Sequence, residues 1–118
     1  DSRIAIGMHG IGRDAGATAS TGLAKRDAHG NYPIEMTVRG LTPLPTGGWY
    51  VLYLSKKGKA TLPCGTFIAG KPPTTVRLSV GYPLEDMFPK EYDGWVVEEH
   101  LPGQRDDGGR VVMVTEKA

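Results

Sequence analysis

The side chains able to do chemistry in this chain are few and scattered. Nucleophilic hydrolysis needs a nucleophile, a base and an acid that orients the base, and Ser79 or Cys64 with His100 and Glu98 are the residues that could fill those roles. Neither nucleophile has a local signature. No strand–turn–helix elbow surrounds Ser79, and Cys64 lies in a strand-like stretch, where a cysteine ordinarily serves as a small buried hydrophobe. A blue-copper centre needs two imidazoles, a thiolate and a weak thioether, yet Cys64-Gly65-Thr66-Phe67-Ile68 has no His or Met close behind the thiol. His9, His29 and His100 are far apart, and His29 sits among turn formers. The paired acids Glu85-Asp86, Glu98-Glu99 and Asp106-Asp107 suggest calcium, but neighbouring strand residues point to opposite faces, so Glu98 and Glu99 cannot share one ion. Gly10-Ile11-Gly12 followed by Gly16 matches the spacing of no phosphate-binding loop, and no helical pattern follows it. Trp49, Tyr50, Tyr53 and Trp95 would make a sugar-stacking platform if they shared an exposed face, but they occur in the most apolar stretches and read as core. The chain therefore reads as non-enzymatic, with no catalytic, cofactor-binding or metal-ligating residue assigned.

The elements that carry these residues are organised around Gly40 to Ser55. Pro43 and Pro45 fix φ and remove backbone donors, so Leu41 to Thr46 is a loop. Gly47-Gly48 then turns the chain into Trp49 to Leu54, an unbroken apolar run that predicts a strand buried on both faces. Lys56-Lys57-Gly58-Lys59 makes a charged turn and Ala60 to Ala69 returns, completing a hairpin. Before it, Arg3 to His9 alternates with Ile4, Ile6 and Met8 on one face, Ala17 to Lys25 offers a strand of small residues expected at an edge, and Tyr32 to Arg39 alternates cleanly. After it, Thr74 to Val80, Gly94 to Leu101 and Arg110 to Thr115 supply further strands. Tyr82 to Asp93 alone has helical spacing, through Leu84, Met87 and Phe88, and Pro83 and Pro89 limit it to a short helical crossover. The pattern predicts an all-β fold, an antiparallel β-sandwich of seven or eight strands, immunoglobulin-like in architecture.

Composition agrees with that class. The 118 residues suit one domain spanning 1–118, and 17 Gly with 9 Pro fall between the apolar runs, as a fold with many turns requires. Fourteen basic residues against 13 acidic leave a net charge of +1 with both signs scattered, so nothing points to nucleic acid. A single cysteine excludes an internal disulfide. No run approaches the roughly 20 apolar residues that cross a bilayer. The chain opens at Asp1 without a methionine and reads as a piece of a longer product.

The order of its motifs resembles a known family. Gly40-Leu41-Thr42-Pro43-Leu44-Pro45 running into Gly48-Trp49-Tyr50-Val51-Leu52-Tyr53-Leu54, then Gly65-Thr66-Phe67, is similar to the C-terminal domain of anti-sigma-K-type (zinc-associated) anti-sigma factors of bacteria, which show a Gly-Leu-x-Pro turn, a Tyr-x-Leu-Trp-Leu strand and Gly-x-Phe. Val96-Val97-Glu98 with Pro102-Gly103 and the opening Met8 to Leu23 stretch continue the likeness over nearly the whole chain. It departs at Tyr53, where tryptophan is usual, at Cys64, where a small residue is common, and in the longer crossover from Tyr82 to Asp93.

The resemblance implies a regulator. In that family a cytoplasmic helical domain, often zinc-binding, holds a sigma factor, one transmembrane helix follows, and a β-sandwich lies outside. This chain resembles the outer part, an extracytoplasmic sensory domain of the cell membrane that controls proteolytic release of the sigma factor. Contact with a sigma factor and with the membrane would then run through segments outside this chain, and a site-specific protease or envelope component would be its own partner. The alternative is a free-standing secreted β-sandwich that binds a glycan or cell-wall component through exposed aromatics.

Overall fold

A computed structural model describes residues 2–24, 26–57, 59–69, 74–81, 92, 94–103 and 109–115. Eight strands run β1 (Ser2–Gly10), β2 (Thr18–Ala24), β3 (Tyr32–Arg39), β4 (Trp49–Lys56), β5 (Lys59–Phe67), β6 (Thr74–Val80), β7 (Gly94–His100) and β8 (Arg110–Thr115), with one 3-10 turn, Gly12–Asp14, after β1. The expected short helical crossover at Tyr82 to Asp93 lies outside the described residues, apart from Tyr92. All strands join one sheet in the order β5-β4-β7-β8-β1-β2-β3-β6, and every hydrogen-bonded neighbour is antiparallel.

The sheet nearly closes on itself. Its two end strands meet where a Cβ on Gly65 of β5 would lie 2.7 Å from Cδ2 of Leu78 on β6. Only the missing side chain at Gly65 lets Leu78 close the seam. The all-β antiparallel fold expected from the alternation is thus present, its inner faces drawn around one core by closure of a single sheet. β3 shows the pattern most plainly, with Tyr32, Ile34, Met36 and Val38 buried and the intervening residues facing outward. From β4, Tyr50, Leu52 and Leu54 enter the same core, where Trp95, Val97 and Met113 meet them. Each such side chain contributes about 1.5–3 kcal/mol by leaving water.

β2 corrects one expectation. Its small residues read as an edge strand, yet β2 is hydrogen-bonded on both sides, to β1 and to β3. A weak apolar pattern reports little side-chain burial, and burial is separate from backbone pairing. The true end strand β5 carries the protective features of an edge: Pro63, which has no N–H to offer, and register shifts against β4 on either side of the Tyr53↔Pro63 pair. At the Lys-rich turn before it, Lys56 pairs with Lys59 and Lys57 sits at φ 54.

Candidate functional site

Two polar constellations stand out against this apolar frame. The first lies where the proline loop enters β4. Gly40, at φ 87, turns the chain out of β3 against Ala17. Leu41 is buried, and the Thr42 N–H and hydroxyl both donate to Oδ1 of Asp14, at 3.0 and 2.8 Å. Asp14 is 2% exposed, carried on the 3-10 turn, and its own carbonyl accepts from Ala17 N–H at 2.8 Å. The Tyr50 hydroxyl donates to the Thr42 carbonyl, and the Tyr50 ring stacks on Phe67 at 5.4 Å between centroids. One carboxylate and one phenol therefore fasten the proline loop to both the 3-10 turn and the central hairpin. Sequence reasoning passed over Asp14 as a loop residue; its partner is 28 positions away.

The second constellation lies on β7 and its neighbours. Strand alternation sends Glu98 and Glu99 to opposite sides, as the sequence requires. Glu99 turns inward, is 1% exposed, and accepts from Nε of Arg110 at 3.0 Å and from Nη2 of the same guanidinium. Glu98 and His100 turn outward. His100 is 4% exposed, and its Nε2 sits 3.5 Å from Oε1 of Glu98 without completing a hydrogen bond. Across the ladder Trp49 pairs with His100, and the two rings stack with centroids 5.4 Å apart and planes 7° from parallel. Val51, opposite Glu98, and then Tyr53 follow Trp49 along the same face of β4. Burial pushes the Tyr53 phenol up, and the nearby Glu98 charge pushes it the same way. Gly109 seals the group: a Cβ there would lie 2.5 Å from Oε1 of Glu98 and 2.7 Å from Nε2 of His100.

The residues weighed for hydrolysis do not converge. Ser79 is exposed on β6, opposite Pro33, and β5 and β4 stand between β6 and β7 across the seam. Cys64 faces the core from β5, where burial pushes its thiol up to about 12, far from the thiolate a nucleophile needs. The histidines are also apart. His9 is exposed on β1, and His29 is exposed in a turn that Asp27 caps by accepting the His29 and Asn31 N–H groups at 2.9 Å each. Those bonds, the one from Asn31 first, hold the Asp27 carboxyl below its usual range. Among the described residues no group of three or more His, Cys, Asp or Glu side chains is placed to hold a metal. Glu85-Asp86 and Asp106-Asp107 lie outside the described residues.

The four aromatics divide in pairs. Tyr50 and Trp95 are core, at 0% and 1% exposure, while Trp49 and Tyr53 are half-buried on the outer face. Among the described residues no helix is long and apolar enough to cross a membrane. Comparison of the chain with protein-family models, with curated proteins and with solved structures finds no match.

Proposed function

We propose that this chain is a non-enzymatic regulatory domain, the extracytoplasmic part of a transmembrane anti-sigma factor, which receives an external signal and governs proteolytic release of the sigma factor. The observation that supports this reading is the build of the segment from Gly40 to Phe67. The proline turn, the apolar strand and the Gly-x-Phe return that carry the family resemblance are one fastened unit here, anchored by Asp14 and Tyr50 and closed at Gly65. An all-antiparallel β body whose loops lie outside the sheet suits a signal receiver.

The test is the reading frame upstream of the Asp1 codon. An apolar segment of about 20 residues preceded by a helical, His/Cys-bearing domain supports the proposal. A cleavable signal peptide alone would overturn it. The alternative of a free-standing glycan- or wall-binding domain draws on one observation, the half-exposed pair Trp49 and Tyr53 on the outer face. Soluble glycans that shift tryptophan emission in the native chain and leave Trp49→Phe silent would support that alternative.

A further inference from the structure

The place where the sheet stops short of closing is built unlike the rest of it. Every other pair of neighbouring strands is joined by an antiparallel ladder, whereas among the described residues none joins β5 to β6. There the contact is Leu78 of β6 lying against Gly65 of β5, where a Cβ would come 2.7 Å from Cδ2 and 3.1 Å from Cδ1. Core-facing residues elsewhere are shut off from water, with Ile34, Met36, Leu52, Leu54 and Met113 at 0–1% exposure. At the seam the core-facing leucines, Leu62 on β5 and Leu78 on β6, are only half-buried. With neither a ladder nor full burial to hold it, the seam parts at lower cost than any ladder-bonded pair.

The two lips of the seam differ in how firmly they are held. β6 pairs with β3 without interruption from Tyr32↔Val80 to Val38↔Thr74. β5 pairs with β4 through two register shifts, between Leu52/Tyr53 and Leu54/Ser55, and Pro63 brings no N–H. We propose that β5 is a moving lip: the fold opens locally along the β5/β6 seam, Leu78 leaving Gly65 as β5 flexes on β4, while the rest of the sheet stays formed. Such an opening exposes the residues of one strand and so costs less than unfolding the whole chain. Cys64, which faces the core one position before Gly65, is the group it uncovers, and the thiol serves as a built-in reporter of the movement. The opening stands independently of the regulatory reading; under that reading, it is the movement that an external partner would bias.

The test is labelling of Cys64 by methyl methanethiosulfonate in the purified chain, over a urea series that runs from none to beyond the unfolding midpoint. The labelling rate of the denatured chain and the global stability together fix the rate expected if the thiol reacts only from the unfolded state. In low urea, wild-type labelling should exceed that rate by about tenfold or more and depend weakly on urea, joining the steep global dependence only near the midpoint. Leu78→Ala should raise the low-urea rate by on the order of tenfold. Val112→Ala, which trims the core from β8 and lowers global stability, should leave the low-urea rate unchanged. Amide exchange in the unmutated chain should show the same split, with β5 exchanging through an opening that depends weakly on urea and β7 through global unfolding. Wild-type labelling that tracks global unfolding at every urea concentration, or a low-urea rate that responds to Leu78→Ala no more than to Val112→Ala, would overturn the opening.

Discussion

Asp14 offers the sharpest test of how the organising hairpin is held. Replacing it by alanine removes an acceptor that takes two hydrogen bonds from Thr42, at 3.0 and 2.8 Å, inside a site where the carboxylate is 2% exposed. Bonds to a charged acceptor are worth about 1.5–3 kcal/mol each, and stranded donors cost a further ~1–3 kcal/mol. Thr42 itself is exposed, so water satisfies much of what Asp14 leaves behind. The net expectation is a loss of about 2–3 kcal/mol, a sizeable share of the 5–15 kcal/mol typical of a domain. At this chain length the melting temperature should fall by on the order of 10 °C. Urea denaturation of Asp14→Ala, Thr42→Val and the double variant gives the coupling directly, and we expect it at about 1–2 kcal/mol. Because Thr42→Val keeps the backbone N–H, the coupling reads the hydroxyl bond alone; a coupling below about 0.5 kcal/mol together with a loss below about 0.5 kcal/mol in Asp14→Ala would refute the fastening of the proline loop by Asp14.

Other consequences can be measured alongside. Cys64 should resist alkylation in the native chain at pH 8 and react fully in denaturant. Because its folded value is raised to about 12 from 9.0, its contribution is intact below pH 9 and is lost as pH rises from 9 towards 12, a dependence that should weaken in Cys64→Ala. Arg110→Gln removes the guanidinium from the buried Glu99 carboxylate and should cost about 1–3 kcal/mol in thermal unfolding, with part of the loss recovered when Glu99→Gln is added. Gly10→Ala would place a methyl group 1.6 Å from the Asp14 carbonyl oxygen, a backbone atom that cannot swing aside, and should destabilise by more than about 3 kcal/mol. Gly65→Ala meets only the end of the Leu78 side chain and should cost about 1 kcal/mol, relieved by Leu78→Ala.

The contrast between Gly10 and Gly65 marks what a linear reading can and cannot reach. Strands β3, β4 and β6 were legible because alternation or an apolar run is a local property of the chain. The opposite facing of Glu98 and Glu99 was legible for the same reason. The placement of β2 inside the sheet was not, because backbone pairing leaves no mark on a stretch of small side chains. Closure at Gly65 and Leu78, the seat of Asp14 beneath Thr42, and the stacking of Trp49 on His100 depend on which distant strands become neighbours. Glycines 10, 65 and 109 read only as turn or strand residues, although each is a place where another group comes too close for a Cβ. The signal for Asp14 was an acid amid glycines, a pattern shared with many plain turns.

The central claim is that these residues are the outer, signal-receiving part of a membrane-bound anti-sigma factor. Its most direct test is to isolate the full-length gene product from host membranes, with and without this domain, and to ask which sigma factor it retains before and after envelope stress. The account predicts that a sigma factor is held by both forms and that regulated release requires these 118 residues. Recovery of the product free of the membrane, with no sigma factor bound, would contradict it.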